Sequence, residues 1–474
     1  MEEGAEVPLR RTASKASSPS PSLPSEHAAE VKSFKSDLKW LFLDQSTVFS
    51  AALSWSLFFI FTIAIPLVSH LIYACHGCDT VHQRPFDGIV QLSLSGIATL
   101  SFVSLSVAAR KYGIRRFLFL DKLCDQSEKV RDGYTNQIHQ SVKILAAFVL
   151  PIFVADCAYK IWWFASGGTQ IPYFYNHYLS NAIVCILLLC SWLYRTTISF
   201  FVCVLFRLIC YLQILRLEDY SRVFEKESDV SAILIEHLRI RRTLRVISHR
   251  FRLFIMMALI LVTISQFMSL LVTMESSTNT NLSTAGELAL CSITLVTGLF
   301  ICLRSAAKIT HRAHALSSLA AKWHACATLS SFEFDPETPL ARTETPQMIF
   351  SASLANWDSE NDEGYEDELD DTNMMAVNAH TISYQKRQAL VTYFEHNRAG
   401  ITVYGFMLDR SWLHTIFAIQ LSLTLWILNK TIGMNNLKGS VSISSTLSPV
   451  FLEALAKCYL LLPVELQVYH EFLQ

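Results

Sequence analysis

The stretch LFIMMALILVTISQFMSLLVTM, residues 253–274, decides the fold, because it contains no Asp, Glu, Lys or Arg. A helix of about 20 predominantly apolar residues is long enough to cross the hydrocarbon core of a bilayer. The composition agrees, since 51% of the 474 residues are hydrophobic and only 17% are charged, whereas soluble domains carry about 25% charged residues. The chain is therefore predicted to be an integral, multi-pass membrane protein.

Six further apolar blocks surround this stretch, so the predicted fold class is all-α with seven transmembrane helices. The predicted spans cover residues 49–73, 88–109, 144–165, 179–206, 253–274, 287–303 and 411–430. They form one membrane domain over residues 36–433. Three segments are predicted to lie outside the spans: a disordered tail at 1–35, a disordered acidic cytosolic linker at 332–373 and an extracellular tail at 434–474.

Basic residues beside the opening stretch predict its orientation. The 207–252 segment before it has ten Lys and Arg, whereas the 275–286 segment after it has none. Over all the segments outside the spans, with Lys430 at the end of the seventh span included, thirty-three lie on one side and four on the other. Because cytosolic loops carry the excess of Lys and Arg, we expect a cytosolic N-terminus and an extracellular C-terminus. This orientation is opposite to that of G-protein-coupled receptors and predicts another class. The plasma membrane and an endomembrane both remain open as its location.

The predicted cytosolic segments contain long amphipathic helices. Apolar residues recur at helical spacing before and within the start of the fifth span, at Ile233, Ile240, Leu244, Ile247, Phe251 and Phe254. The pattern continues after the sixth span at Leu316, Leu319, Trp323 and Ala327. Two interpretations stay open: a helical cap that covers its own core, and a bundle through which subunits associate.

Three charged residues lie within predicted spans, where ionisable groups are costly and suggest a function. Asp156 and Lys160 are one turn apart in the third span, and Arg195 lies in the fourth. The alternative for the first two is a local ion pair, with Lys160 reaching the outer interface. From the helical rise, Asp156 lies about 14 Å and Arg195 about 24 Å below the outer ends of their spans. A direct ion pair between Asp156 and Arg195 is therefore not expected. Arg195 is instead expected to reach cytosolic headgroups.

Two groups of residues are candidates for a ligand pocket. Ser95 and Thr99 share a face of the second span, where small polar residues also mark close helix packing. Aromatic residues cluster near the outer ends of the third and fourth spans, among them Trp162, Trp163, Tyr173 and Tyr175. They fit either an interfacial belt or an aromatic pocket that opens outward.

The seventh span has a polar stripe, because Thr415, Ser422 and Asn429 are spaced by seven residues. Several copies of this helix around an axis could line a pore. The alternative is that these side chains bond to neighbouring helices of the same subunit.

The predicted outer loops offer two sites of covalent modification. Cys75 and Cys78 are candidates for a disulfide on the oxidising side of the membrane. Asn281 begins an Asn-Leu-Ser glycosylation sequon. The sequence shows no catalytic, metal-binding, cofactor-binding or nucleic-acid-binding pattern, so we expect a protein that is not an enzyme.

Four runs of sequence, at residues 92–96, 110–123, 130–134 and 399–417, resemble a plant family of membrane proteins of unknown function. That gustatory-receptor-like family is distantly similar to the insect gustatory and odorant receptors. The resemblance implies a ligand-gated cation channel, assembled as a homotetramer, whose seventh helices line the pore. It also implies a small-molecule ligand, which the sequence does not identify.

Two other functions are consistent with the sequence. One is a secondary transporter that uses Asp156 as a proton or ion site. The other is a receptor or scaffold that conducts nothing and signals through its cytosolic loops, including the acidic segment at 358–371.

Overall fold

The structure is a computed structural model, which describes residues 48–73, 86–112, 128–165, 177–226, 230–275, 282–332 and 384–433. These residues are nearly all helical. In chain order the elements are α1 (Val48–Phe58), a π-helical turn (Phe59–Ala64), α2 (Ile65–Tyr73), α3 (Asp87–Tyr112), α4 (Glu128–Ala165), α5 (His177–Lys226), α6 (Val230–Glu275), α7 (Leu282–Phe332), α8 (Tyr384–His396), β1 (Thr402–Val403), β2 (Phe406–Met407) and α9 (Arg410–Gly433).

Six helical segments are long and apolar enough to cross a membrane, and they correspond to the first six predicted spans. They are Val48–Leu71, Asp87–Lys111, Asn136–Ala165, Tyr178–Arg222, Val230–Met274 and Gly286–Ala325. The prediction of a multi-pass, helical membrane protein is therefore confirmed for these six. The seventh predicted span corresponds to α9, a helix of 24 residues, and its crossing of the membrane stays a prediction.

Three helices are much longer than a bilayer is thick. The helices α5, α6 and α7 have 50, 46 and 51 residues, so each is about 70 Å long or more, against about 30 Å of hydrocarbon. Their parts beyond the predicted spans are residues 207–226, 230–252 and 304–332, and α8 packs against α6 and α7. We call these three segments and α8 the extension bundle.

The amphipathic pattern predicted for these segments is confirmed in the extension bundle. Ile233, Ile240, Leu244, Ile247 and Phe251 are all buried. Beyond the sixth predicted span, Leu316 and Trp323 are buried too.

An aromatic cluster joins three helices of the extension bundle. His237 of α6 lies between Tyr220 of α5 and two rings of α8, Tyr393 and Phe394, with ring centroids 4.6 to 6.3 Å from its own. The Tyr220 hydroxyl donates a hydrogen bond to the Ile233 carbonyl at 2.9 Å.

The beginning of α4 approaches α5 closely. A Cβ atom on Gly133 would lie 3.1 Å from Cδ1 of Leu215, closer than ordinary van der Waals contact, so a larger residue here would require the Leu215 side chain to shift. The adjacent Tyr134 is fully buried, and burial raises the pKa of its phenol, opposed by nearby Arg216.

A short hairpin, β1 and β2, precedes α9 and docks between α6 and α7. The backbone N–H of Thr402 donates to Ser248 Oγ of α6 at 3.1 Å, and that of Ile401 donates to Thr310 Oγ1 of α7 at 3.4 Å. After the hairpin, Asp409 caps α9 by accepting a bond from the Arg410 N–H at 2.7 Å. The hairpin therefore fixes where α9 begins.

The π-helical turn between α1 and α2 places two backbone carbonyls where neighbouring helices reach them. Ser191 of α5 donates to the Phe61 carbonyl at 2.6 Å, and Ser95 of α3 donates to the Thr62 carbonyl at 2.8 Å. A π-turn changes the spacing of the i→i−4 ladder, and such turns occur often at functional sites.

Candidate functional site

A buried ion pair lies in the last third of α4. Lys160 Nζ donates to both carboxylate oxygens of Asp156, at 2.8 and 2.7 Å. The two side chains are 2% and 0% exposed. The predicted local ion pair is therefore present, but Lys160 is buried among helices and does not reach the outer interface.

A second carboxylate completes this site from α7. Glu287 Oε1 lies 3.2 Å from Lys160 Nζ, and the Glu287 side chain is also buried. Sequence analysis missed this residue, which is the first of the predicted sixth span. An acidic residue at a span boundary, facing an unusual intramembrane lysine, is the signal that could have identified it.

Arg195 lies beside this ion pair and Glu287. The prediction that its side chain reaches cytosolic headgroups is wrong. Its side chain is buried and donates to the Gln91 carbonyl at 3.5 Å, to Ser95 Oγ at 3.2 Å and to the Ser191 carbonyl at 3.4 Å. It also interacts electrostatically with Glu287. The prediction failed because it assumed that all spans begin at the same depth.

The polar contacts continue from Arg195 toward the start of α3. Gln91 Nε2 donates to Asp87 Oδ1 at 3.1 Å, and Asp87 Oδ2 lies 3.4 Å from Nδ1 of His70 on α2. His70 is about half exposed, so the described network runs from the surface to the buried cluster. We call Asp156, Lys160, Arg195 and Glu287 the ionic cluster.

The ionic cluster can neutralise its own charge, since it has two carboxylates and two cations. Burying an unpaired ion costs several kcal/mol, so each member stabilises the others. The four residues come from α4, α5 and α7, and the cluster therefore holds three helices together. A site of this kind can also bind or exchange a proton or a small cation if water reaches it.

The predicted pocket residues that the structure describes make contacts within and between helices. Ser95 bonds to α1–α2 and to Arg195 as described, and Thr99 Oγ1 donates to the Ser95 carbonyl at 2.7 Å. Trp163 is buried and meets the Phe164 ring edge-on at 5.1 Å, while Trp162 is partly buried.

The structure has a small apolar cavity between α3, α5, α6 and α7. Its volume is about 30 Å³, enough for a single water molecule but not for an organic ligand. Its lining includes Leu94, Thr196, Phe254 and Gly298. The candidate Ser95 lies next to this lining in sequence without contributing to it.

Two residues of the polar stripe of α9 lie on one exposed face of the helix. Thr415 and Ser422 are exposed, and the hydrogen bonds described for them go to carbonyls of their own helix, Ser411 at 3.0 Å and Ile419 at 2.9 Å. Asn429 lies near the end of α9, where the structure describes the backbone alone.

Two other polar residues of α9, Gln420 and Thr424, lie on a buried face of the helix. Gln420 Nε2 donates to Thr263 Oγ1 of α6 at 2.8 Å, and the Thr424 hydroxyl donates to the Gln420 carbonyl at 2.8 Å. Both side chains are buried. Sequence analysis missed this inward face because it followed the spacing of seven residues.

Several predicted sites lie outside the described residues, namely Cys75, Cys78, Tyr173, Tyr175 and Asn281. Within the described ranges, no group of three or more His, Cys, Asp or Glu is placed to hold a metal ion.

Comparison with known proteins gives one match. The family described as "Protein of unknown function (DUF3537)" matches residues 29–419. Neither a curated protein nor a solved structure matches the chain. Because the matched segment includes α1 to α8, the hairpin, the ionic cluster and the first half of α9, this helical membrane protein belongs to the DUF3537 family.

Proposed function

We propose that this protein is a homo-oligomeric, ligand-gated cation channel in which α9 of each protomer lines a shared pore. The observation that best supports it is the outward direction of Thr415 and Ser422 on α9. Hydroxyl groups gain little from facing lipid, whereas they suit the wall of a water-filled pore. In the alternative, the side chains of the stripe bond to helices of the same subunit. Gln420, which is not part of the stripe, makes such a bond, but the bonds described for Thr415 and Ser422 stay within α9.

The outward face of α9 also has apolar residues that suit a gate. Ile419 and Trp426 lie on the same side of the helix as Thr415 and Ser422, and both are exposed. Rings of apolar side chains can close a pore by excluding water. One helix cannot enclose a pore, so several protomers are required; the number four and the small-molecule ligand follow from the resemblance to insect receptors.

The experiment is ligand-evoked current from the purified protein in planar bilayers, tested against a broad panel of small organic compounds. A cationic, membrane-impermeant thiol reagent is then applied to the variants Ser422→Cys and Leu425→Cys. Leu425 is also exposed but lies about 80° around the helix from Thr415. We expect the reagent to reduce the current through Ser422→Cys severalfold and to leave Leu425→Cys unchanged.

Two results would contradict the channel. One is a stable monomer in nanodiscs, because a single α9 cannot form the pore. The other is the absence of current with every compound, together with Asn429 substitutions that change nothing.

A secondary transporter is the second candidate, and the ionic cluster favours it. Asp156 and Glu287 both lie against Lys160 inside the helical domain, an arrangement suited to coupling transport to a proton. Saturable solute flux into liposomes that is abolished by Asp156→Asn, with the protein still folded, would support the transporter instead of the channel.

A further inference from the structure

One face of α6 shows where the hydrocarbon layer ends. Large apolar side chains are exposed along this face, from Leu253 through Ile260 and Phe267 to Met274. The distance from Leu253 to Met274 along a helix is about 32 Å, close to the roughly 30 Å thickness of the hydrocarbon core. Arg252 comes directly before this face. A hydrocarbon layer that covers this face would therefore end at Arg252, which would put its guanidinium at the level of the lipid headgroups.

The tip of the hairpin lies at the same level. The Arg252 guanidinium lies over the Tyr404 ring, 5.2 Å from its centroid. Phe406 of the hairpin contacts Trp412 in the first turn of α9, with ring centroids 6.4 Å apart. These three rings are 53%, 68% and 52% exposed. Exposed aromatic rings beside an arginine are typical of the membrane–water interface.

The backbone conformation of the turn makes a tyrosine at position 404 unusual. Tyr404 and Gly405 both have positive φ angles, 49° and 91°, as the two central residues of a type I′ hairpin require. Asn, Asp and Gly are the ordinary residues at the first of these positions, and a bulky side chain rarely adopts this conformation. The backbone preference of tyrosine therefore does not explain why Tyr404 is at this position, and we attribute its presence to the exposed ring.

We propose that the hairpin tip is a membrane anchor, in which Tyr404 and Phe406 insert into the headgroup layer and Arg252 binds a lipid phosphate. The surface continues the lipid-facing side of α6, and the cation complements the negative phosphate. Both features favour lipid over a second copy of the chain. The anchor rests on α9 entering the membrane, as the proposed channel does, but it does not require conduction.

The experiment replaces Phe406 with photoreactive benzoylphenylalanine in the full chain, in nanodiscs of phosphatidylcholine and phosphatidylglycerol. After illumination, mass spectrometry measures lipid adducts, and electrophoresis detects adducts between protein copies. The same replacement at Ile260, on the lipid-facing side of α6, is the positive control. Tyr384 is the negative control, because its ring contacts His324, about 30 Å along α7 from the end of the sixth predicted span.

We expect lipid adducts at Phe406 with a yield similar to that at Ile260 and several times that at Tyr384. We also expect Arg252→Gln to reduce the share of phosphatidylglycerol among the Phe406 adducts severalfold. An adduct to a second protein copy, or no adduct while Ile260 reacts, would overturn the anchor; an unchanged phosphatidylglycerol share would overturn the role of Arg252. Lipid adducts in a protein that gives no ligand-evoked current would support the anchor while contradicting the channel.

Discussion

The extension bundle and the membrane-crossing part of the same helices are built in opposite ways. In the extension bundle, apolar side chains such as Ile247 and Trp323 lie inside, and charged residues such as Arg239 lie outside. In the membrane-crossing part, apolar residues such as Ile260 lie outside, and the ionic cluster lies inside.

The solvent explains this difference. Water drives apolar side chains together in the extension bundle, but lipid is as apolar as a leucine side chain and gives the spans no such driving force. Packing, hydrogen bonds and ion pairs must hold the spans instead. Each region is therefore sensitive to a different kind of substitution.

The largest effect should come from removing the central cation of the ionic cluster. Lys160→Met leaves Asp156 and Glu287 buried with Arg195 as the remaining cation, and breaking a buried ion pair costs about 3–5 kcal/mol. Unfolding of the protein in mixed micelles measures the loss. The double variant Asp156→Asn with Lys160→Met restores charge balance and should recover most of the stability. Equal losses in the single and double variants would contradict an electrostatic role.

A somewhat smaller effect is expected from a cavity in the extension bundle. Ile247 is fully buried, and Ile247→Ala should destabilise the protein by about 2–4 kcal/mol through lost contacts and a residual cavity. Leu238→Ala, on an exposed position of the same helix, is the matched control and should cost less than about 0.5 kcal/mol. Hydrogen exchange of residues 230–252 would locate the change. Similar losses for both variants would mean that this face is not a core.

The bond between α9 and α6 should be worth less. Gln420→Leu removes the donor to Thr263 Oγ1, and such bonds between membrane helices average about 0.6 kcal/mol. Thermal unfolding in nanodiscs is the measurement, with Thr415→Val on the outward face as a control expected to change little. A loss of several kcal/mol would show that polar contacts hold α9 more strongly than proposed.

The smallest effect is expected from an ion pair on the surface of the extension bundle. Arg239 and Glu236 are 3.1 Å apart, but the Arg239 side chain is 69% exposed. Glu236→Gln should therefore cost less than about 0.5 kcal/mol, and added salt should abolish the difference in a denaturant titration. A cost comparable to that of Lys160→Met would remove the distinction between the two regions.

The parts predicted from the sequence are those that depend on one helix at a time. Length and hydropathy predict six of the spans, because each helix must satisfy its own backbone within the hydrocarbon. The period of the apolar residues predicts the buried face of 233–251, because that face follows from helical geometry alone.

The parts that sequence analysis missed depend on how one helix lies against another. Gln91 is about one turn from the start of α3, whereas its partner Arg195 is about five turns from the start of α5. A helical rise gives depth within a helix but not the offset between two helices. Glu287 was missed for the same reason, since only the packing of α7 against α4 brings it to Lys160.

The π-helical turn at Phe59–Ala64 has a consequence for the phase of the first span. An extra residue in one turn rotates everything that follows by about 100° around the helix axis. A helical wheel drawn as one continuous α-helix from Val48 to Tyr73 therefore assigns the side chains of α2 to the wrong face of the span. The directions of the side chains in α1 and α2 must therefore be worked out separately. His70 faces Asp87 because the π-helical turn, which ends at Ala64, has rotated α2 about the helix axis.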